Sequence, residues 1–196
     1  MDYKTVSRAI SVKQTLKKSV FIGSISPAES LDFAKIFISQ VRKNYRDANH
    51  NAFAYRIGVK KEEFLFSDDG EPAKSAGLPI YNAMRSYSIT NVVIVVTRYF
   101  GGVKLGIGGL IRAYGDTARL AIEASGVETL KTKITLHIEL PYGKMGLFEY
   151  AVRKVNGEII EKDFGVSPVL KVVIFEESLE EFRSILQSGA ISIKIV

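Results

Sequence analysis

The sequence predicts an α+β fold in two parts, and three observations carry that expectation. An unbroken apolar run, Val92 to Val96, is followed by five glycines between Gly101 and Gly109, after which helical periodicity resumes. That order reads as strand, glycine loop, helix. From Thr132 onward the periods run strand, helix, strand, strand, helix, strand, the βαββαβ order of a ferredoxin-like fold. The charge divides at the same place. Residues 1–130 hold 18 Lys/Arg against 12 Asp/Glu, whereas residues 131–196 hold nine of each. Two domains, 1–130 and 131–196, are therefore expected, the first basic and the second neutral.

In order along the chain, Lys4–Val12 alternates loosely and Ser19–Ile25 reads as a short strand paired with it. Ser26-Pro27-Ala28-Glu29 has the form of a capping box with proline at the first helical position. Leu31, Ala34, Ile38, Val41 and Tyr45 follow at helical spacing, so a helix is expected from about 27 to 45. Ala52–Val59 and Glu63–Ser67 flank Lys60-Lys61 as a hairpin. The segment SDDGEPAKSAGLP is too rich in Gly and Pro for regular structure and leads into a short helix around Pro79–Arg85. The helix after the glycines is expected from Gly109 to about Ala124, stopped by Gly126, with Gly126–Lys131 as a linker.

In the second part, Ile134, Leu136, Ile138 and Leu140 share one face of a strand, with His137 on the other. Tyr142–Val155 has helical spacing. Glu158–Phe164 and Val169–Phe175 form a hairpin, and Ser178-Leu179-Glu180-Glu181 opens a helix ended by Gly189. Ile191, Ile193 and Ile195 close the chain in alternation. No internal repeat is visible.

Composition removes several function classes. The 196 residues include no cysteine and only two histidines, His50 and His137, so disulfides, thiolate nucleophiles and zinc sites built on sulfur are excluded. No apolar run approaches the roughly 20 residues of a membrane span. The N-terminus lacks a signal-peptide pattern, and a cytoplasmic protein with no membrane association is expected. A net charge of +6 makes an anionic partner worth testing.

The candidate site centres on the glycine loop. Arg98, Tyr99, Phe100, Gly101, Gly102, Lys104, Gly106, Gly108, Gly109 and Arg112 place backbone amides, cations and aromatic rings where a strand meets a helix N-terminus. Such a place can hold phosphate or nucleic acid. The pattern is neither GxxxxGK[ST] nor GxGxxG, and a tight turn for close packing is the competing reading. Arg112 shares a helix stripe with Asp116, Arg119 and Glu123, which reads equally well as a solvated face. Arg98 and Lys104 have no obvious local partner.

A second loop carries Asp68, Asp69 and Glu71, with His50 upstream. These carboxylates could coordinate Mg²⁺ or serve as a general base. They could also cap the next helix or pair with Arg98 and Lys104. Ser67 and Ser75 lie outside any GxSxG elbow. Catalytic residues are thus not identified, no metal site is assigned, and Mg²⁺ is the one cofactor the loop suggests.

Three stretches together, HNAFAY (His50–Tyr55), FSDDGEPAKSAGLP (Phe66–Pro79) and VTRYFGGVKLGIGGLIRAY (Val96–Tyr114), closely resemble the Impact/YigZ family, over the full length of its bacterial two-domain members. Val20 and Ala52 depart from the pattern, where Arg and Cys are usual. The missing Cys argues against an essential thiol. The resemblance implies a first domain like the second domain of ribosomal protein S-five. It implies a second domain like the last domain of elongation factor G. Eukaryotic relatives restrain a kinase of a translation initiation factor by competing for its activator protein, and bacterial-type members have no settled activity. The leading expectation is a non-enzymatic RNA- or ribosome-associated protein with a translation-regulatory role. The alternatives are a Mg-dependent enzyme on a phosphorylated small molecule or nucleotide, and a regulator that binds a protein partner without nucleic acid.

Overall fold

A computed structural model describes residues 1–187 and, for the backbone alone, Ser192–Ile195. The expected helix stop at Gly189 and the start of the closing alternation at Ile191 lie outside the described residues. The chain divides into two compact units, Tyr3–Leu130 and Met1–Asp2 with Lys131–Val196. Both are mixed α+β. Among the described residues no helix is long and apolar enough to cross a membrane.

The first unit is built on a five-stranded antiparallel sheet. Its strands are β2 (Ile10–Leu16), β3 (Ser19–Pro27), β4 (His50–Ile57), β5 (Glu63–Ser67) and β6 (Val92–Tyr99), in the order β2-β3-β6-β4-β5. Strand β6 is central, which explains its continuous apolar run: both of its faces are covered. Val93 and Val95 pack with Ala34, Ile38 and Val41 of α1 (Leu31–Asn44). Val92, Ile94 and Val96 pack on the other side with α2 (Gly77–Ser86) and α3 (Gly106–Ser125). Alternation appears only where one face of a strand meets water.

Four boundaries differ from the sequence reading. The single strand expected over Lys4–Val12 is two. Strand β1 (Asp2–Val6) pairs with β7 (Val127–Lys131), while β2 makes a hairpin with β3. That hairpin turns on Lys17 and Lys18, both at positive φ (44° and 67°), a conformation normally signalled by Asn or Gly. The stretch expected to link the domains is thus partly strand β7. Helix α1 starts at Leu31, because β3 continues through Pro27 opposite Val92. Its cap is Ser30, whose hydroxyl accepts from Phe33 N at 3.2 Å. Helix α3 begins at Gly106, three residues before the expected Gly109, and Gly126 ends it at φ 79°.

The second unit contains β8 (Lys133–Glu139), α4 (Met145–Lys154), β9 (Glu158–Phe164), β10 (Pro168–Phe175), α5 (Leu179–Gln187) and β11 (Ser192–Ile195). Short 3₁₀ turns at Tyr142–Lys144 and Glu176–Ser178 precede the two helices. The sheet is antiparallel in the order β11-β8-β10-β9, the ferredoxin-like arrangement. Leu136 and Ile138 of β8 and Leu170, Val172 and Ile174 of β10 alternate onto one face. That face packs against Phe148 and Val152 of α4 and Phe182 and Leu186 of α5.

Candidate functional site

Strand pairing brings the first site residues together. On neighbouring strands His50 stands opposite Arg98, and Arg98 stands opposite Phe21 of β3. The acidic loop then delivers Glu71. Its Oε1 accepts from Arg98 Nη1 at 2.7 Å and from the hydroxyl of Tyr114, on α3, also at 2.7 Å. Arg98, Glu71 and Tyr114 are all buried. Breaking such a pair leaves an uncompensated charge inside the protein, so it ties β6, the loop and α3 into one arrangement. Burial, and next the negative charge of Glu71, push the Tyr114 hydroxyl well above the ordinary tyrosine range. It remains a phenol and donates.

The Arg98 guanidinium lies between two rings, 5.7 Å from the centroid of Phe21 and 5.4 Å from that of Phe100. His50 is fixed from the acidic side. Its Nδ1 is 2.9 Å from the carbonyl of Asp69. A carbonyl can only accept, so Nδ1 carries the proton and Nε2 holds the lone pair in the neutral ring. Nε2 is 3.9 Å from Glu71 Oε1.

The other two carboxylates turn away. Asp68 accepts from the backbone N–H groups of Lys74, Ala76 and Gly77 at 2.8, 2.9 and 2.9 Å, and so caps the N-terminus of α2. Asp69, at φ 47°, accepts from Arg42 Nη2 and from Asn51 N, each at 2.6 Å. The three acids of the loop therefore have three separate sets of partners. Among the described residues no group of three or more His, Asp or Glu is placed to hold a metal ion.

The glycine loop is shorter than the sequence suggested. Gly106, Gly108 and Gly109 belong to the first turn of α3, which leaves Gly101 to Leu105 as loop. Gly101 passes so close to the hairpin turn that a Cβ there would overlap the Lys18 backbone. Gly101 N donates to Ser19 Oγ at 3.1 Å, and Phe100 N donates to Asn49 Oδ1 at 2.8 Å. Both glycine-flanking amides are thereby satisfied within the protein, and the close-packing reading describes Gly101. Gly102, at φ 82°, has nothing near its Cβ position.

Between the two loops lies a cleft of about 420 Å³, lined by His50, Glu71, Arg98, Phe100, Lys104 and Ile107 among others. Gly106 also lines it. Asp68, Asp69, Tyr99 and Arg112 do not. Tyr99 donates to Asp47 at 2.9 Å. Arg112 lines a separate cavity of about 290 Å³ with Lys74, Asn82 and Arg119. Arg119 pairs with Asp116 three residues before it, whereas Glu123 accepts from Tyr87, 36 residues away, so only one pair of the α3 stripe is local. Arg98, expected to lack a local partner, is fully engaged at Nη1. Lys104 is exposed and makes no ion pair among the described residues. Asn49, Phe21 and Arg42 were not singled out from sequence. Each acts through a partner more than 25 residues away in the chain, and no local pattern marks it.

The Impact N-terminal domain matches residues 17–122, which contain the cleft. An IMPACT family member of Haemophilus influenzae is 30% identical over 200 aligned residues, covering 100% of this chain and 97% of its own. YvyE of Bacillus subtilis is 34% identical, covering 91% and 77%, and YigZ of Escherichia coli is 32% identical, covering 89% and 87%. Human Protein IMPACT is 35% identical over 97 residues, 47% of this chain and 30% of its own. A crystal structure of a hypothetical protein superposes with a TM-score of 0.80 at 26% identity, covering 100% of this chain and 97% of that one. With the family domain spanning more than half its length and bacterial relatives aligned along nearly all of it, the chain belongs to the Impact family.

Proposed function

We propose that this chain is a non-enzymatic binding protein for single-stranded RNA, free or on the ribosome, with a role in translation. One observation carries the reading. At the mouth of the cleft Phe100 lies against the buried guanidinium of Arg98 and is still 46% exposed, beside Lys104, which makes no ion pair among the described residues. An exposed ring backed by a cation is a surface on which a base stacks without sequence preference, and a nearby lysine supplies the phosphate contact. The exposed Lys17 and Lys18, whose turn abuts Gly101, extend the positive surface. The charge excess of residues 1–130 acts in the same direction. The translational role follows from the family resemblance.

The magnesium-dependent alternative loses its support because Asp68 is spent on backbone amides, Asp69 on Arg42 and Asn51, and Glu71 on Arg98 and Tyr114. A regulatory protein partner is separated by the test itself. Anisotropy titrations with single-stranded RNA between about 50 and 200 mM salt are expected to show binding that weakens as salt rises. Undetectable binding at low salt, or binding indifferent to salt, would exclude the RNA reading. Partners that survive nuclease in a pull-down would then point to protein.

A further inference from the structure

The cleft holds features that stacking at its mouth leaves unused. The Arg98 side chain is only 7% exposed, and its Nε is buried with no hydrogen-bond partner among the described residues. A buried donor left unmade costs about 1–3 kcal/mol, which makes it a natural place for a ligand acceptor. His50 also lines the cleft; with its proton on Nδ1 toward Asp69, its Nε2 is an acceptor that has no hydrogen-bond partner among the described residues. An unpaired donor and an unpaired acceptor thus lie at the Glu71 end.

The opposite end is positive. Helix α3 is 20 residues long, and its N-cap, Leu105, supplies no side-chain hydrogen bond to the first turn. Leu105 is in the right-handed helical region and Gly106 follows at φ 71°, a succession that turns consecutive N–H groups toward a common point. The helix dipole and Lys104 add to the same end. Between the two ends the wall is apolar, with Phe100, Leu105, Ile107 and Leu110. A volume of about 420 Å³ lies within the range of small-molecule pockets.

We propose that this cleft binds one nucleotide through a terminal phosphate monoester. The phosphate is held by Lys104 and the N–H groups that open α3, and the base lies along the apolar wall. The base edge meets Arg98 Nε–H and His50 Nε2. Glu71 sets the polarity: its carboxylate balances the Arg98 charge and accepts from Tyr114, so that end of the cleft has no net positive charge to draw the phosphate away from Lys104. The inference deepens the RNA reading and rests on it only for the source of the nucleotide, which is either a phosphorylated RNA end or a free mononucleotide.

The test uses the full chain and calorimetric titration with the four nucleoside monophosphates, their nucleosides, inorganic phosphate, and one short RNA bearing either a 5′-phosphate or a 5′-hydroxyl. At least one monophosphate is expected to bind roughly tenfold or more tightly than both its nucleoside and inorganic phosphate, about 1.4 kcal/mol. Lys104→Glu and Ile107→Glu, both at exposed positions, should abolish that preference while leaving the melting temperature unchanged. Preference for the 5′-phosphorylated RNA assigns the site to RNA ends, and equal binding of the two RNAs assigns it to free nucleotide. Monophosphates that bind no better than nucleosides overturn the inference, and if RNA still binds, the RNA reading stands. Monophosphate binding without RNA binding leaves this site and removes that reading.

Discussion

Arg98 Nη1 lies 2.7 Å from Glu71 Oε1, with side-chain exposures of 7% and 3%. The pair joins the central strand to the acidic loop, and Tyr114 adds α3 to the same oxygen. A salt bridge this deep gains little over an apolar pair, but half of it alone is costly. Glu71→Ala should therefore lower stability by about 3–5 kcal/mol, read from urea midpoints. The double variant Glu71→Ala with Arg98→Met should recover part of that loss. A single-variant loss below about 1 kcal/mol would mean the pair is already solvated, as surface pairs are.

Tyr114 predicts an alkaline limit. Its folded pKa lies above the ordinary 10.0, raised first by burial and then by Glu71. The unfolded chain releases this proton first, so the contribution is whole below about pH 10 and is lost as pH rises beyond it. Tyr114→Phe should be less stable near neutrality, yet its stability should fall less steeply above pH 10. The slopes should differ by about 1.4 kcal/mol per pH unit, one proton's worth. Parallel slopes would show that the hydroxyl ionises as easily folded as unfolded.

Asp68 predicts a capping loss. It accepts three backbone N–H groups at the start of α2, a helix whose N-cap residue, Ala76, supplies no side chain for the purpose. Asp68→Ala should cost about 1–2 kcal/mol, and Asp68→Asn, which keeps one oxygen, clearly less. Equal losses in thermal or urea unfolding would show that charge, not the hydrogen bonds, stabilises the turn.

These residues also mark what a sequence discloses. The run Val92–Val96 is legible as a buried strand because a strand covered on both faces has no polar side to show. The βαββαβ half is legible because each element has its own period. Local signals fail where the partner is distant. Strand β7 looks like a link because its pairing partner β1 lies far back in the sequence, at Asp2–Val6. The Lys17-Lys18 turn lacks the glycine that would announce it. In the acidic loop Asp68, Asp69 and Glu71 look equivalent, and only the pairing of β4 with β6 decides that Glu71 meets the buried arginine while the others meet backbone and Arg42. The cleft is thus legible as two motifs, and its chemistry depends on how they meet.

Phe100 and Lys104 predict two separable effects on RNA. If the ring is a stacking platform, Phe100→Ala should weaken single-stranded RNA binding by about 1–3 kcal/mol with the salt slope unchanged, because no ionic contact is removed. Lys104→Ala should do the reverse: a smaller loss at moderate salt, with the slope of log K against log salt reduced by about 0.7. Both side chains are exposed enough for replacement without collapse of the core. The two variants combined should show both changes, since the ring and the ammonium act on different parts of the nucleotide. Should Phe100→Ala alter the slope, or Lys104→Ala leave it unaltered, the contacts are distributed differently and the RNA lies elsewhere on the basic surface.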